Sequence, residues 1–285
     1  ITLKETNNNC SMDLSAWVSI VNKSGANFKD SQLKLIAGDI NRVNSHQPNI
    51  RMSKTMAQED SAGMTSESLF EYHMYRLPHL VDLPNHSTKQ VPLINTINNI
   101  RCEKKLTFNA TQLSHVNYHQ PITHSNYYLK SKSQANASLH FSNSKDNQLG
   151  IPFPAGRVRV NVLNKHDNNL EFVGEENISH TPKNETISLH LGQSFDVTGS
   201  RIQKDFSTEK NSITETFEIE LSNQKDHSVT VEVVEPMYRW SNWQIIDSSH
   251  KFQKKQSNII SFDIELKPES KKTVKYTVKY QWPPK

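Results

Sequence analysis

The chain has 285 residues, a hydrophobic fraction of 34%, a mean hydropathy of −0.70 and a net charge of +4. That length allows one or two domains at roughly 100–200 residues each, and acids and bases are interspersed without a Lys/Arg stripe, which excludes a nucleic-acid partner. No apolar run approaches the roughly 18 residues of a membrane helix, so no transmembrane segment is expected, while regular period-two alternation argues against disorder despite the Asn- and Ser-rich composition.

The chain opens on Ile1-Thr-Leu-Lys, which reads as a fragment or processed product. Leu14, Ala16, Val18 and Ile20 alternate with Ser15, Trp17, Ser19 and Val21, predicting a strand with a mixed outer face. A turn at Asn22–Gly25 leads to a second strand through Leu33 and Leu35, expected to pair back on the first. Residues 43–68 carry no periodicity and read as a long surface loop. Both faces of Phe70–Leu77 carry apolar groups, which predicts a central strand stopped by Pro78. Pro92 marks the strand at Lys89–Ile94 as an edge or a bulge. Short strands are expected around Leu106, Tyr127–Leu129 and Leu139–Phe141.

From Leu149 to Phe206, strand and turn signals alternate at short, even intervals. Ser207–Ser212 is polar and reads as a linker. Beyond it, Phe217, Ile219 and Leu221 share one face, and Val229, Val231 and Val233 return as a hairpin partner. Ile260–Leu266 and Val274–Trp282 form a second such pair around the turn at Pro268. One buried and one wet face is the pattern of a sandwich. The expected fold is therefore all-β, with two antiparallel β-sandwich-like units: residues 1–206, and an immunoglobulin-like unit over 207–285.

Several stretches resemble a known family. They are Pro154-Ala-Gly leading into Arg157-Val-Arg-Val160, Phe172-Val-Gly-Glu175, His180-Thr-Pro-Lys183, Leu191–Val197 and Lys204-Asp-Phe206. Leu33–Arg42 and Glu235–Trp243 add to them, so the resemblance covers nearly the whole chain. It is to a large bacterial family catalogued as a domain of unknown function, also found in mucoidy inhibitor A-like proteins. The resemblance implies an exported β-rich protein, periplasmic or at the cell surface. It brings no activity and no catalytic residues. Members usually carry one more strand ahead of this point, which implies that the first strand here lacks a neighbour.

Two cysteines, Cys10 and Cys102, are compatible with one disulfide in an exported chain, but the plainer expectation is two unpaired thiols, one in a turn and one at a strand edge. His115, His119 and His124 are close in sequence, yet Pro121 opposes a helix and no Cys or carboxylate completes a ligand set, so no metal and no cofactor is expected. No Gly-x-Ser-x-Gly elbow singles out a nucleophile. Adjacent carboxylates such as Glu175 and Glu176 point apart on an extended chain, so no catalytic residue is assigned. Asp39, Asn41 and Arg42 follow a strand and open the long loop, where sandwiches bind ligands; the competing reading is a capped turn. Tyr238, Trp240 and Trp243 either fill the core or stack on a ligand, and Trp243 is the binding candidate among them. The expected role is non-catalytic: binding or scaffolding at the cell envelope, with an envelope glycan or protein as partner. The alternatives are a hydrolase acting on an envelope polysaccharide and a metal-binding protein using the histidines.

Overall fold

A computed structural model describes residues 1–6, 9–38, 65–69, 72–111, 120–125, 127, 129–164 and 167–283. Its strands are β1 (Thr2–Thr6), β2 (Asn9–Asn22), β3 (Phe28–Ala37), β4 (Thr65–Leu69), β5 (Tyr72–Leu83), β6 (Ser87–Asn109), β7 (Lys130–Ser142), β8 (Gly156–Leu163), β9 (Leu170–Ile178), β10 (Thr186–Glu209), β11 (Ser212–Asn223), β12 (Val229–Pro236), β13 (Trp243–Ser248), β14 (Gln253–Gln256), β15 (Ile259–Leu266) and β16 (Ser270–Gln281). Among the described residues there is no α-helix, only a single 3-10 turn at Lys145–Asn147. The strands form a large mixed sheet and a small antiparallel one, β3-β5-β4. Two compact units share them: residues 1–102 with 141–187, and residues 103–140 with 188–285.

In the first unit, β2 pairs with β6 and with β1, and β1 pairs in parallel with β8, so both β1 and β2 have neighbours on each side. The small sheet contributes Leu77, Val81 and Leu83 to a cluster completed by Val91, with Val18, Ile20, Leu33 and Leu35 packed against it. β5 is central, as its two-faced pattern predicts. It is not stopped by Pro78. The β3–β5 register slips between Gln32 and Lys34, opposite this proline, and the irregularity accommodates a residue that cannot donate to the ladder. β3 pairs with β5 and not with β2. Of the expected loop 43–68, residues 43–64 lie outside the described residues, while 65–68 belong to β4.

In the second unit, β11 pairs with β16 over twelve residues without a register shift, flanked by β10 and β13. A second ladder joins β14, β15 and β12 antiparallel, and β12 runs parallel to β6. The inward residues of these ladders make one core, with Phe217, Ile219, Leu221, Val274 and Val278 from one and Val231, Val233, Ile260, Phe262 and Ile264 from the other. Consecutive strands β11 and β12 therefore do not form a hairpin, nor do β15 and β16. Each turn arches between ladders because both strands point their apolar face into the same core. Asn223, fully buried, holds both arches: its Nδ2 donates to the carbonyls of His227 and Lys267, each at 2.9 Å, and its Oδ1 accepts from Lys225 N at 3.1 Å.

Residue 207, the expected domain boundary, lies inside β10. The polar stretch Ser207–Ser212 closes a tight hairpin with Glu209 opposite Ser212, so its polarity reflects a turn and not a linker. The parallel pairs β1–β8 and β6–β12 make the large sheet mixed, where antiparallel pairing was expected. Cys10 and Cys102 sit directly opposite on β2 and β6 with Cα atoms 5.0 Å apart, and they are bonded; register brings together two thiols that the sequence left free.

Candidate functional site

The first unit contains a cavity of about 750 Å³. Its floor is apolar and buried, including Leu14, Ile94 and Phe153. The stretch of β2 along it carries three register shifts between Met12 and Trp17. Bulges re-aim side chains, and they concentrate beside functional sites. Here Trp17, opposite Pro92, stands on the rim and is 58% exposed.

The opposite wall is the segment Phe153–Arg159. Pro154 keeps its first residues out of a ladder, and from Gly156 onward it becomes β8, paired with β9. It is held by a bridge between Phe153 and Thr181 and by Asn143. This fully buried side chain donates to the carbonyls of Ile151 at 2.7 Å and Pro182 at 2.9 Å, and accepts from Gly150 N at 3.0 Å. Gly150 has φ +88°, and a Cβ there would lie 2.7 Å from Lys145 Cγ, so glycine is required.

β8 then places Arg157 and Arg159 on one face, by period two, with Glu175 of β9 directly across from Arg159. Arg159 Nε donates to Glu175 at 3.1 Å, and Arg157 lies 3.6 Å from the same carboxylate. Two cations thus share one anion on a mostly exposed face, leaving net positive charge at the rim. Gln90, Ser15, Ser19 and Asn161 supply neutral donors and acceptors. Among the described residues, no Asp, Glu, His, Cys, Lys or Tyr lines the cavity. The arrangement can bind through stacking, guanidinium contacts and amide hydrogen bonds.

The most perturbed ionisable groups lie elsewhere, in the core of the second unit. Arg201 contacts Glu235 at 2.7 Å and Arg239 contacts Glu215 at 2.7 Å, all four side chains being at most 1% exposed. Gln203 also donates to Glu215 at 2.7 Å, and Arg239 donates to the carbonyls of Ile122 and His124. The Arg201 guanidinium lies over the Phe217 ring, 3.6 Å from its centroid. Burial opposes the charge on Arg201, but Glu235 outweighs it and the guanidinium titrates above its ordinary value. Burial also pushes the Glu235 carboxyl up, yet protonation would strand a buried cation, so the pair stays ionised. Burial raises the hydroxyls of Tyr238, Tyr276 and Tyr280, which stay protonated. Perturbed groups often mark active sites, but these charged side chains are at most 1% exposed and serve the fold.

Asp39, Asn41 and Arg42 lie outside the described residues, as do His115 and His119. Trp243 is half-buried against the core of the second unit, its Nε1 donating to Ser257 O at 3.1 Å and Lys254 Nζ lying 4.9 Å from the ring centroid. Trp240 packs on the same core and Tyr238 is within it, so the aromatic set is largely interior. His190, between Leu189 and Leu191 on β10, is exposed. Among the described residues, no group of three His, Cys, Asp or Glu is placed to hold a metal, and no helix is long and apolar enough to cross a membrane. Trp17, Arg157 and Arg159 were not among the sequence-derived site residues. The readable signals were Arg-Val-Arg alternation and a tryptophan on the polar side of a strand.

The chain belongs to the family described as a domain of unknown function, DUF4139, whose model matches residues 2–284. No curated protein and no solved structure matches it.

Proposed function

We propose that the protein is a non-catalytic binding or scaffolding module of the bacterial cell envelope, periplasmic or on the cell surface, and that its ligand seats in the cavity beside Trp17. The observation that carries this reading is the lining: an exposed indole and two arginines above an apolar floor, with no carboxyl group among the described lining residues. Hydrolysis of a glycosidic bond calls on two carboxyl groups flanking it, so the same lining speaks against the polysaccharide hydrolase. An indole face and planar guanidinium groups suit a sugar ring carrying negative charge, which makes an acidic envelope glycan the favoured partner over a protein. The bonded Cys10–Cys102 pair supports an oxidising compartment. The face-to-face ladders over one aromatic core support an immunoglobulin-like sandwich for the second unit, which draws in residues 103–140 and 188–206 as well as the C-terminal strands.

Titration of the protein with soluble acidic glycan fragments, followed by calorimetry, tests the site. Saturable binding is expected, weakened at least tenfold in Trp17→Ala and in the Arg157→Ala/Arg159→Ala pair, a loss of about 1.4 kcal/mol or more. Binding that survives both variants, or shortening of the glycan by the wild-type protein, would overturn the reading.

A further inference from the structure

We propose that the second unit carries a separate site for a small tetrahedral oxyanion, phosphate or the phosphate group of a monoester. The β6–β7 ladder runs from Glu103 opposite His140 to Thr107 opposite Asn136 and then ends. From Leu106 onward β6 also pairs with β12, and Ala110 N donates to Val234 O, while the start of β7 lies beside β10, with Gln203 N donating to Leu129 O. The two strands part, and a cavity of about 280 Å³ opens, lined by Asn109–Thr111, Lys130–Ser133 and Arg201. It has room for about nine waters at the roughly 30 Å³ each occupies in the liquid.

Three features of the lining select the ligand. Among its described lining residues, Ala110 is the one apolar residue. Among the described residues lining it there is no carboxylate, and their charge is one-sided. The Arg201 cation is balanced by Glu235, but Lys130 and Lys132 are exposed and have no ion-pair partner among the described residues. The surplus is therefore two positive charges, on alternate residues of one strand, which matches a dianion. Finally, Thr111 is buried at 7% exposure and its Oγ1 has no hydrogen-bond partner. A buried hydroxyl without a partner is disfavoured and is expected to find an acceptor. An anion oxygen supplies one. Ser131 Oγ, by contrast, is already committed to Ala110 O at 2.6 Å, which ties the two strands across the gap.

Calorimetry of the intact chain with inorganic phosphate, at fixed ionic strength maintained with sodium chloride, tests the proposal. Saturable binding with a Kd of about 1 mM or tighter is expected. Lys130→Ala/Lys132→Ala should weaken it at least tenfold, and Thr111→Val about threefold or more, with Thr111→Ser restoring the affinity and so separating loss of the hydroxyl from damage to the fold. Lys23→Ala/Lys29→Ala removes the same charge in the first unit and should leave the affinity unchanged. A parallel titration with ethyl phosphate identifies the source: affinity equal to that of phosphate assigns the site to a phosphate monoester, and weaker affinity assigns it to the free anion. No saturable binding of either, or equal weakening by the Lys23/Lys29 pair, overturns the site.

Discussion

β2 and β11 are both long strands with partners on both sides, yet they are built to opposite specifications. β11 matches β16 residue for residue along its whole length, and its inward side chains are fully buried. β2 loses register with β6 three times within a few residues and leaves a tryptophan on the surface and a cavity beside it. Regular pairing maximises burial and leaves no room for a ligand. Irregular pairing gives up some of that burial and in exchange orients side chains outward. The first unit offsets the loss with cross-links: a disulfide and buried asparagines that grip loop carbonyls. The second has one such asparagine, Asn223, at its turns, no disulfide among its described residues, and four charges in its core.

The comparison can be broken at several points. The largest effect is expected from expressing residues 207–285 alone. This segment lacks β6 and most of β10, leaving β11 and β12 each without one neighbour and the shared core without Leu106, Phe108 and Val197. It should show no cooperative denaturant transition; a single sharp transition with dispersed amide signals would make it a unit of its own. Next, Cys10→Ser/Cys102→Ser opens a loop whose ends are 92 residues apart in sequence. The expected loss is roughly 4–5 kcal/mol by chain entropy, with reduced amide-exchange protection confined to the first unit. Loss of protection in β11 or β16 instead would contradict that partition.

Breaking one buried pair by Glu235→Gln strands the Arg201 charge and should cost about 3–5 kcal/mol, whereas Arg201→Met/Glu235→Leu should cost less than the single change. A double variant as unstable as Glu235→Gln would show that packing, and not charge, sets the effect. Gly199→Ala tests the density of the same core: the new Cβ would lie 2.5 Å from ring atoms of Phe108, which is fully buried. A loss of about 1–3 kcal/mol is expected in a denaturant melt, and a neutral result would mean the ring can yield.

The smallest effect concerns Asp13, at the first break in β2. Burial alone would raise its carboxyl, but the bond from Lys4 at 2.7 Å and that from Asn99 N at 3.0 Å outweigh it and hold it below the usual range. A lowered carboxyl contributes stability that is present above its unfolded value, near 3.9, and lost as pH falls through the folded one. Asp13→Asn should therefore cost under about 1 kcal/mol at neutral pH and flatten the acid side of the stability curve. An unchanged acid limb would show that the contact is cosmetic.

Much of this was legible. Alternation placed Phe217, Val231, Phe262 and Tyr276 inward, and two-sided apolarity put β5 at the centre of its sheet. Pairing was less legible, because alternation says which way a side chain points and not which strand lies alongside. β11 and β12 looked like a hairpin for that reason. The buried charges were hidden by expectation and not by pattern. Glu215 is in phase with Phe217, Glu235 with Val233, and Arg201 with Val197, all at inward positions. A charge in phase with an apolar face is the signal, and its partner lies too far along the chain to be guessed. The two cysteines failed similarly: only the register of β2 against β6 puts them opposite each other.

Asn223 has a consequence for how the protein can change. One carboxamide grips the turn after β11 and the turn before β16, so neither can alter its length without disturbing the other. Insertions that a surface loop would ordinarily tolerate should be rejected at 224–228 and 267–269, and related sequences should vary these two turns together or not at all. The β8–β9 turn, which carries no such link to a second loop among its described residues, is where a peptide tag or a foreign epitope could be grafted with least disturbance.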